Sequence, residues 1–124
     1  MENWSEEKIQ QELYVWFNNE YKEYRKLLHH LYSNPRNAVQ GRMLASIGLV
    51  KGYPDLQLNV AKKGFNGLFL ELKRPGEKPR KEQLEIMELL REQGYFIAWS
   101  SDLEEMKKII RNYLNDSNPY RRTI

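Results

Sequence analysis

The fold of this chain is decided by two short stretches, Gly52-Tyr53-Pro54-Asp55-Leu56 and Phe69-Leu70-Glu71-Leu72-Lys73. Side chains alternate between the two faces of a strand, so residues two apart share a face. Both stretches, with the residues that continue them, are therefore predicted to be strands with one apolar and one polar face. The apolar faces carry Leu56, Leu58, Val60, Leu68, Leu70 and Leu72, and the polar faces carry Asp55, Gln57, Asn59, Glu71 and Lys73.

Two pairing registers are open for these strands. In an antiparallel hairpin whose loop of roughly five residues is centred on Lys62-Lys63-Gly64, Asp55 lies opposite Glu71. A second register turns at Asn66-Gly67, a strong tight-turn dipeptide, and it places Lys62 opposite Glu71. In that second register Asp55 lies beyond the paired region. The sequence alone favours neither register.

The first register brings two carboxylates side by side, which has a chemical consequence. Neighbouring carboxylates repel, and this raises the pKa of one of them unless a cation neutralises the pair. Hard oxygen ligands suit Mg²⁺ or Mn²⁺, and such an ion polarises a phosphoryl oxygen and lowers the pKa of bound water. Lys73 could orient that water or stabilise developing negative charge. The alternative for Glu71 and Lys73 is an ordinary charged pair on a solvated strand.

The surrounding residues extend this pattern to a known family. Pro54-Asp55 is followed by Glu71-Leu72-Lys73, then by Gln83 in the next predicted helix and by Gly94-Tyr95. This combination resembles the VRR-NUC (virus-type replication-repair nuclease) domain, a branch of the PD-(D/E)xK nuclease superfamily, most densely over residues 48–114. The resemblance implies an α/β fold with a restriction-endonuclease-like core, in which helices flank a mixed central sheet.

The resemblance also implies roles for individual residues. Asp55 and Glu71 would be ligands of Mg²⁺ or Mn²⁺, and the backbone carbonyl of Leu72 would be a further ligand. Lys73 would be the catalytic lysine. The implied reaction is metal-dependent hydrolysis of phosphodiester bonds.

Two helical residues are candidates for the same site. Gln83 matches the glutamine of the family's helix, where its amide could orient water or a phosphate. The alternative is that Gln83 is an ordinary solvated residue on the surface of the helix. By the same resemblance, Glu6 would correspond to the acidic residue often found on the family's first helix and would reach the metal. As an alternative, Glu6 is a first-turn acid that suits the positive end of the helix dipole.

Basic and polar residues in the loops predict contacts with nucleic acid. The formal net charge of +3 is only mildly basic, so the placement of charge says more than its total. Amines beside the candidate site could contact phosphates, as could the Lys62-Lys63 pair, and solvated loop charges are the alternative. The predicted DNA contacts are Asn34, Lys51, Tyr53, Arg74, Lys78, Arg80 and Lys81.

His29 and His30 lie in a segment, 24–32, that could be a strand or a continuation of the first helix, and a strand over 26–32 is favoured. Adjacent strand residues face opposite ways, and no third ligand is spaced with the two histidines. Surface or packing roles are therefore favoured over metal ligation.

The remaining elements follow from caps, breakers and periodicity. The predicted order is helix, strand, helix insert, two strands, helix, strand, helix, with the insert at 38–47. The third helix spans 79–93, and Leu84, Met87, Leu90 and Ile86 form its buried stripe. The run 95–99 is predicted to be a buried strand, and Ser101 with Glu104 forms a capping box for the last helix.

Length and composition predict one small soluble domain. The chain has 124 residues, 40% of them hydrophobic, which suffices for one modest core. We expect a domain at 1–115 and a basic, flexible tail at 116–124. Zero cysteines exclude disulfides, cysteine-ligated zinc and a thiol nucleophile. With no apolar run of roughly 20 residues, no membrane association is expected, and the predicted location is cytoplasmic.

The function implied by the resemblance is that of a DNA endonuclease that needs Mg²⁺ or Mn²⁺. Stand-alone members of the family are similar to Holliday-junction resolvases and act as homodimers, which suits paired incisions on branched DNA. Structure-selective cutting is expected because the chain has no separate module for reading base edges. The alternatives are a nuclease of the same fold that cuts flaps or single strands, and a non-catalytic nucleic-acid-binding protein.

Overall fold

The computed structural model describes residues 5–31 and 36–115, and these contain a mixed sheet with helices on both faces. Asn34 and the tail 116–124 lie outside the described residues. The strands are β1 (Leu28–His30), β2 (Leu56–Leu58), β3 (Leu68–Leu72) and β4 (Phe96–Ser100), and the helices are α1 (Glu6–Glu20), α2 (Ala38–Ser46), α3 (Lys81–Glu92) and α4 (Leu103–Leu114), with a short 3₁₀ turn at Lys22–Tyr24.

The sheet has the strand order β1-β2-β3-β4, and this confirms the predicted α/β class and order of elements. The pairs β1–β2 and β2–β3 are antiparallel, and β3 pairs with β4 in parallel. A parallel neighbour needs a crossover, which α3 supplies. None of the helices formed by the described residues is long and apolar enough to cross a bilayer.

The hairpin of β2 and β3 adopts the first of the two predicted registers. Leu56 pairs with Leu70 and Leu58 with Leu68, so Asp55, just before β2, lies beside Glu71. The register that turns at Asn66-Gly67 is wrong. The backbone N–H of Asn66 instead donates to the carbonyl of Gly94, and this hydrogen bond ties the hairpin to the end of α3.

The chain reverses at Lys63 and Gly64, inside a bridge between Lys62 and Phe65. Both turn residues have positive φ angles, 53° and 85°, as the tight turns favoured in hairpins require. This turn is at the opposite end of the hairpin from Asp55. The Lys62-Lys63 pair therefore does not flank the candidate site, and the amine of Lys63 donates to the carbonyl of Asn112.

The main core lies between one face of the sheet and the helices α1 and α4. Ile9, Leu13 and Phe17 are the buried residues of α1, and they pack with Met106 and Ile110 of α4 against the strand leucines. The periodicity that predicts these stripes is the ordinary 3.6-residue spacing of an amphipathic helix. Every residue of β3 is buried, because Tyr53 and Tyr95 pack on Phe69 and Gln83 of α3 contacts Glu71 on the other face.

Several sequence expectations need correction at α3 and β1. The helix α3 begins at Lys81, later than the predicted start at 79. Leu84 is 52% exposed, and Gln83 takes the buried position with Met87. The strand β1 begins at Leu28 and not at Lys26, because Lys26, with φ of 75°, cannot continue an extended backbone. The predicted end of this strand, Tyr32, lies outside the described residues.

Two expectations about the end of the chain also differ from the structure. The helix α4 is capped by Asp102, whose carboxylate accepts from the Glu105 N–H at 2.9 Å, so the capping box at Ser101 is wrong. The strand β4 is partly exposed, with Phe96 at 37% and Trp99 at 40%. In the described sheet it is an edge strand, and an edge is less covered than the centre.

Candidate active site

Asp55 and Glu71 are held together by reciprocal hydrogen bonds. The backbone N–H of Asp55 donates to Oε1 of Glu71 at 3.2 Å, and the backbone N–H of Leu72 donates to Oδ2 of Asp55 at 2.8 Å. Each carboxylate is thus fixed by the strand that carries the other. The first hairpin register is required for this arrangement, because a shift by one residue would turn one side chain to the opposite face.

Glu71 is the most constrained side chain of the site. It is 2% exposed, and its Oε2 accepts from the amine of Lys73 at 3.0 Å and from the amide of Gln83 at 2.6 Å. Lys73 is also buried. The residues at positions 71 and 73 share a face of the sheet as the alternation of strand side chains predicts.

Gln83 connects the first turn of α3 to the sheet. Its Oε1 accepts from the backbone N–H of Arg80 at 2.8 Å, while its amide nitrogen faces Glu71. Both ends of the side chain are therefore occupied, which explains why a polar residue is buried here.

Gly52 sets the distance between α3 and the loop that leads to Asp55. A Cβ atom on Gly52 would lie 2.9 Å from the carbonyl oxygen of Glu82, and its φ is +106°. Residues with a side chain rarely adopt such a positive φ, and a Cβ atom is rarely found so close to another atom. The close approach places the beginning of α3, and with it Gln83, over the end of the hairpin.

Burial and charge shift the ionisation of two acids at the site. Burial first, and then the charge of Asp55, raises the pKa of Glu71 from its usual 4.5 to about 7, although Lys73 opposes this shift. Burial also raises the pKa of Glu6, and here again Asp55 adds to the shift and Lys73 reduces it. Glu6 therefore lies within electrostatic reach of the pair, and a cation near these acids would stabilise their charged forms.

A cavity of about 340 Å³ opens above the two carboxylates. Glu6, Lys73 and Gln83 line it with them, together with the expected DNA contacts Lys51, Tyr53, Arg74 and Arg80. The expected contacts Lys78 and Lys81 are exposed but do not line it. Sequence reasoning missed Glu77, which also lines the cavity, because the irregular connector before α3 has no periodicity from which its direction could be inferred.

The donor set fits a hard divalent cation. Mg²⁺ is commonly held by one or two carboxylates, with water completing the shell, and Asp55 and Glu71 supply two carboxylates at one point. Within residues 5–31 and 36–115, no group of three acidic, histidine or cysteine side chains forms a complete metal site, so Glu6 does not join the pair as a third close ligand. The Leu72 N–H is bound to Asp55, and the role of the Leu72 carbonyl stays a prediction.

The two histidines of β1 contact residues at the start of the hairpin. Nδ1 of His30 is 3.2 Å from the carbonyl oxygen of Asp55 and 2.9 Å from the amide of Gln10, and Nε2 of His29 is 3.1 Å from Oε1 of Gln57. Both side chains thus take part in hydrogen bonds that support the hairpin.

Comparison with solved structures finds a similar fold. A protein described as a VRR_NUC domain protein aligns with a TM-score of 0.81 and 20% sequence identity, over 93% of this chain and 92% of its own. This confirms the fold that the sequence pattern implies, with a restriction-endonuclease-like core. No family model matches the chain, and no curated protein is a significant match.

Proposed function

We propose that this chain, which has the fold of a VRR-NUC domain, is a DNA endonuclease that uses Mg²⁺ or Mn²⁺ to hydrolyse phosphodiester bonds. The observation that carries the proposal is the reciprocally bonded pair of Asp55 and Glu71, together with the amine of Lys73, which contacts the carboxylate of Glu71. A buried acid, Glu71, beside a half-buried one, Asp55, is costly to a fold unless a cation or a reaction uses the pair. A cavity lined by further basic side chains opens directly above them.

Each residue has a role in this proposal. Asp55 and Glu71, with the Leu72 carbonyl, would hold the cation, which would supply polarisation of the phosphodiester and activation of water. Lys73 orients the attacking water or stabilises the charge that develops on phosphorus oxygens. Gln83 positions Glu71 through the 2.6 Å hydrogen bond. Glu6 is proposed to act from across the cavity, either through water on the cation or as a fixed charge.

Basic side chains around the cavity would position the DNA backbone. Lys51, Arg74 and Arg80 line the cavity and are proposed to contact phosphates on either side of the bond that is cut. Lys78 and Lys81 are exposed and would extend this contact along the strand. Tyr53 packs edge-on against Phe69, with 6.4 Å between the ring centroids, and would contact the sugar-phosphate backbone from a fixed position.

The helix α2 supports the proposed homodimer. None of its residues is buried, and its apolar side chains are widely exposed, at 68% for Val39 and 61% for Met43, as is Ile47 just after its end, at 73%. A helix of this length is marginal in water unless its apolar stripe is covered. We propose that a second copy covers the stripe, and that the resulting two-fold symmetry presents two cavities to a branched DNA.

Cleavage of a labelled DNA panel tests the function. Four-way junctions, flaps, duplexes and single strands are incubated with Mg²⁺, with Mn²⁺ or with EDTA. We expect metal-dependent cutting of the junction that is lost in Glu71→Gln and Lys73→Ala. The control is Glu88→Gln, which makes the same change in an exposed ion pair with Arg91 and should cut normally.

The products separate the proposal from its alternatives. Cutting of flaps or single strands alone would keep the metal-dependent nuclease but would replace branched DNA as its substrate. Binding of DNA by wild type and variants alike, with no metal-dependent cutting of any substrate, would support the non-catalytic binding protein and refute the proposed function.

A further inference from the structure

A second cavity, of about 750 Å³, lies between α1 and the edge strand β1. Its volume is in the range of sites that bind small molecules or parts of larger ones. The polar side chains that face it come from one side of α1 and from the segment around β1, and they include Gln10, Gln11, Tyr14, Lys26, His29 and His30.

This cavity, which we call the α1–β1 cavity, adjoins the candidate active site. Ser5 and Glu7 line it, whereas Glu6 between them lines the active-site cavity, so the first turn of α1 separates the two. His30 lines the α1–β1 cavity and contacts the carbonyl oxygen of Asp55 at 3.2 Å. A strand with one phosphate at Asp55 would therefore have a neighbouring nucleotide close to the α1–β1 cavity.

Lys26 gives an independent indication that this cavity binds a ligand. It has a φ of 75°, a left-handed conformation that is unfavourable for a residue with a side chain. Such conformations persist mainly where function or surrounding structure requires them. The described residues provide no hydrogen-bond or ion-pair partner for its amine that would explain the choice of lysine.

Lys63 provides the contrast. It is the other non-glycine residue with positive φ in the described part of the chain, at 53°. Its amine donates to the carbonyl of Asn112 at 2.5 Å, so this lysine has a partner within the folded chain. Lys26 instead lines an open cavity, and its side chain is exposed.

The chemistry of the lining matches a nucleotide. The amide of Gln11, which lines the cavity and is exposed, both donates and accepts hydrogen bonds, as the edges of bases require. The ring of Tyr14, which is 41% exposed, offers a face on which a base can stack. The amine of Lys26 can pair with a phosphate.

We propose that the α1–β1 cavity binds an unpaired nucleotide of the DNA strand that is cut, next to the scissile phosphate. The proposal rests on the proposed nuclease function. A base inside a duplex is stacked and paired, and it cannot enter a cavity without leaving the helix. Branch points and flaps supply unpaired nucleotides, so this cavity would be the source of selectivity for DNA structure.

Binding in EDTA tests the cavity without any cutting. The affinity of a fluorescent single-stranded oligodeoxynucleotide is measured by anisotropy for wild type, Tyr14→Ala, Lys26→Gly and the matched control Lys63→Gly. Loss of one stacking contact weakens binding by about tenfold, which we expect for Tyr14→Ala, and loss of one phosphate contact should weaken it several-fold in Lys26→Gly. Lys63→Gly should bind as wild type does.

Thermal melting of the same variants separates function from folding. Glycine relieves a left-handed conformation, so Lys26→Gly should be at least as stable as wild type while binding less well. Loss of affinity with retained stability would support the proposal. Equal oligonucleotide affinity in wild type, Tyr14→Ala and Lys26→Gly would overturn it.

Kinetics distinguish failure of this inference from failure of the proposed function. If the enzyme cuts DNA and both cavity variants have the KM of wild type, the cavity proposal is wrong and the nuclease proposal stands. If both variants lose affinity in EDTA but no protein cuts DNA with metal, the cavity stands as a nucleotide site and the nuclease proposal fails. A raised KM with unchanged kcat supports both.

Discussion

The amide nitrogen of Gln83 lies 2.6 Å from Oε2 of Glu71 and joins the first turn of α3 to the centre of the sheet. The same oxygen accepts from Lys73, and the other oxygen of Glu71 accepts from the backbone of Asp55. A carboxylate held by three donors is aligned before any substrate arrives. Gln83 is thus a positioning residue, and its effect on the reaction would pass through Glu71.

Replacing Gln83 by leucine should lower both stability and activity. A hydrogen bond to a charged group contributes about 1.5–3 kcal/mol, so the free energy of unfolding should fall by about that amount in urea titrations. Lower kcat with little change in KM is expected, because Gln83 holds Glu71 rather than DNA. The control is Leu84→Ala at the next position, which is 52% exposed and should change stability by less than about 0.5 kcal/mol. A larger decrease in the free energy of unfolding for Leu84→Ala than for Gln83→Leu would contradict the observed orientation of α3.

Without metal, the stability of the protein should decrease between pH 5 and pH 8. The pKa of Glu71 in the folded protein is raised to about 7 from 4.5, so its stabilising contribution is present below 4.5 and is lost as the pH rises through 7. The loss is of the order of 3 kcal/mol at most. The measurement is the melting temperature against pH in EDTA for wild type and Glu71→Gln.

Glu71→Gln should flatten most of this pH profile, since an amide does not titrate. The raised pKa of Glu6 acts in the same direction and should leave a small residual slope. Addition of Mn²⁺ above pH 7 should restore stability in wild type and not in Glu71→Gln. A steep profile in Glu71→Gln would show that another group controls the pH dependence.

The hairpin and its polar pair could be predicted because their determinants are local. Strand alternation places Glu71 and Lys73 on one face, and the turn at Lys63 and Gly64 brings Asp55 opposite Glu71. Short turn sequences left two registers open, however. The observed register is accompanied by a long-range contact of Asn66, which donates to the carbonyls of Gln93 and Gly94. A pattern within the hairpin contains no information about that contact.

The errors of sequence reasoning arise where tertiary partners override local preference. Hydropathy favours Leu84 over Gln83 as a buried residue, but the hydrogen bond to Glu71 reverses the order. The apolar β4 is predicted to be buried, yet as an edge strand it leaves Trp99 exposed. The left-handed Lys26 is invisible to periodicity, which describes only repeating backbone conformations.

Gly52→Ala should displace the beginning of α3 and thereby disturb the candidate active site. The new Cβ would lie 2.9 Å from the Glu82 carbonyl oxygen, so the first turn of α3 must move and carry Gln83 away from Glu71. We expect a loss of about 1–3 kcal/mol in stability and a lower kcat. Gly48→Ala is the matched control, because its φ of +108° imposes the same backbone cost and no atom lies within 4 Å of its Cβ. Equal effects of both substitutions on kcat would show that the contact with α3 does not matter.

Met43→Glu should separate the proposed dimer into monomers. Met43 is 61% exposed at the centre of the apolar stripe on α2, and a carboxylate buried between two copies would have no partner there. Light scattering after size exclusion should give the mass of two chains for wild type and of one for the variant, with an unchanged circular dichroism spectrum. The control is Leu89→Glu, an equally apolar residue that is 58% exposed on α3 and should leave the mass unchanged. The proposed role of α2 fails if wild type is a monomer at micromolar concentration, or if Met43→Glu keeps the mass of wild type.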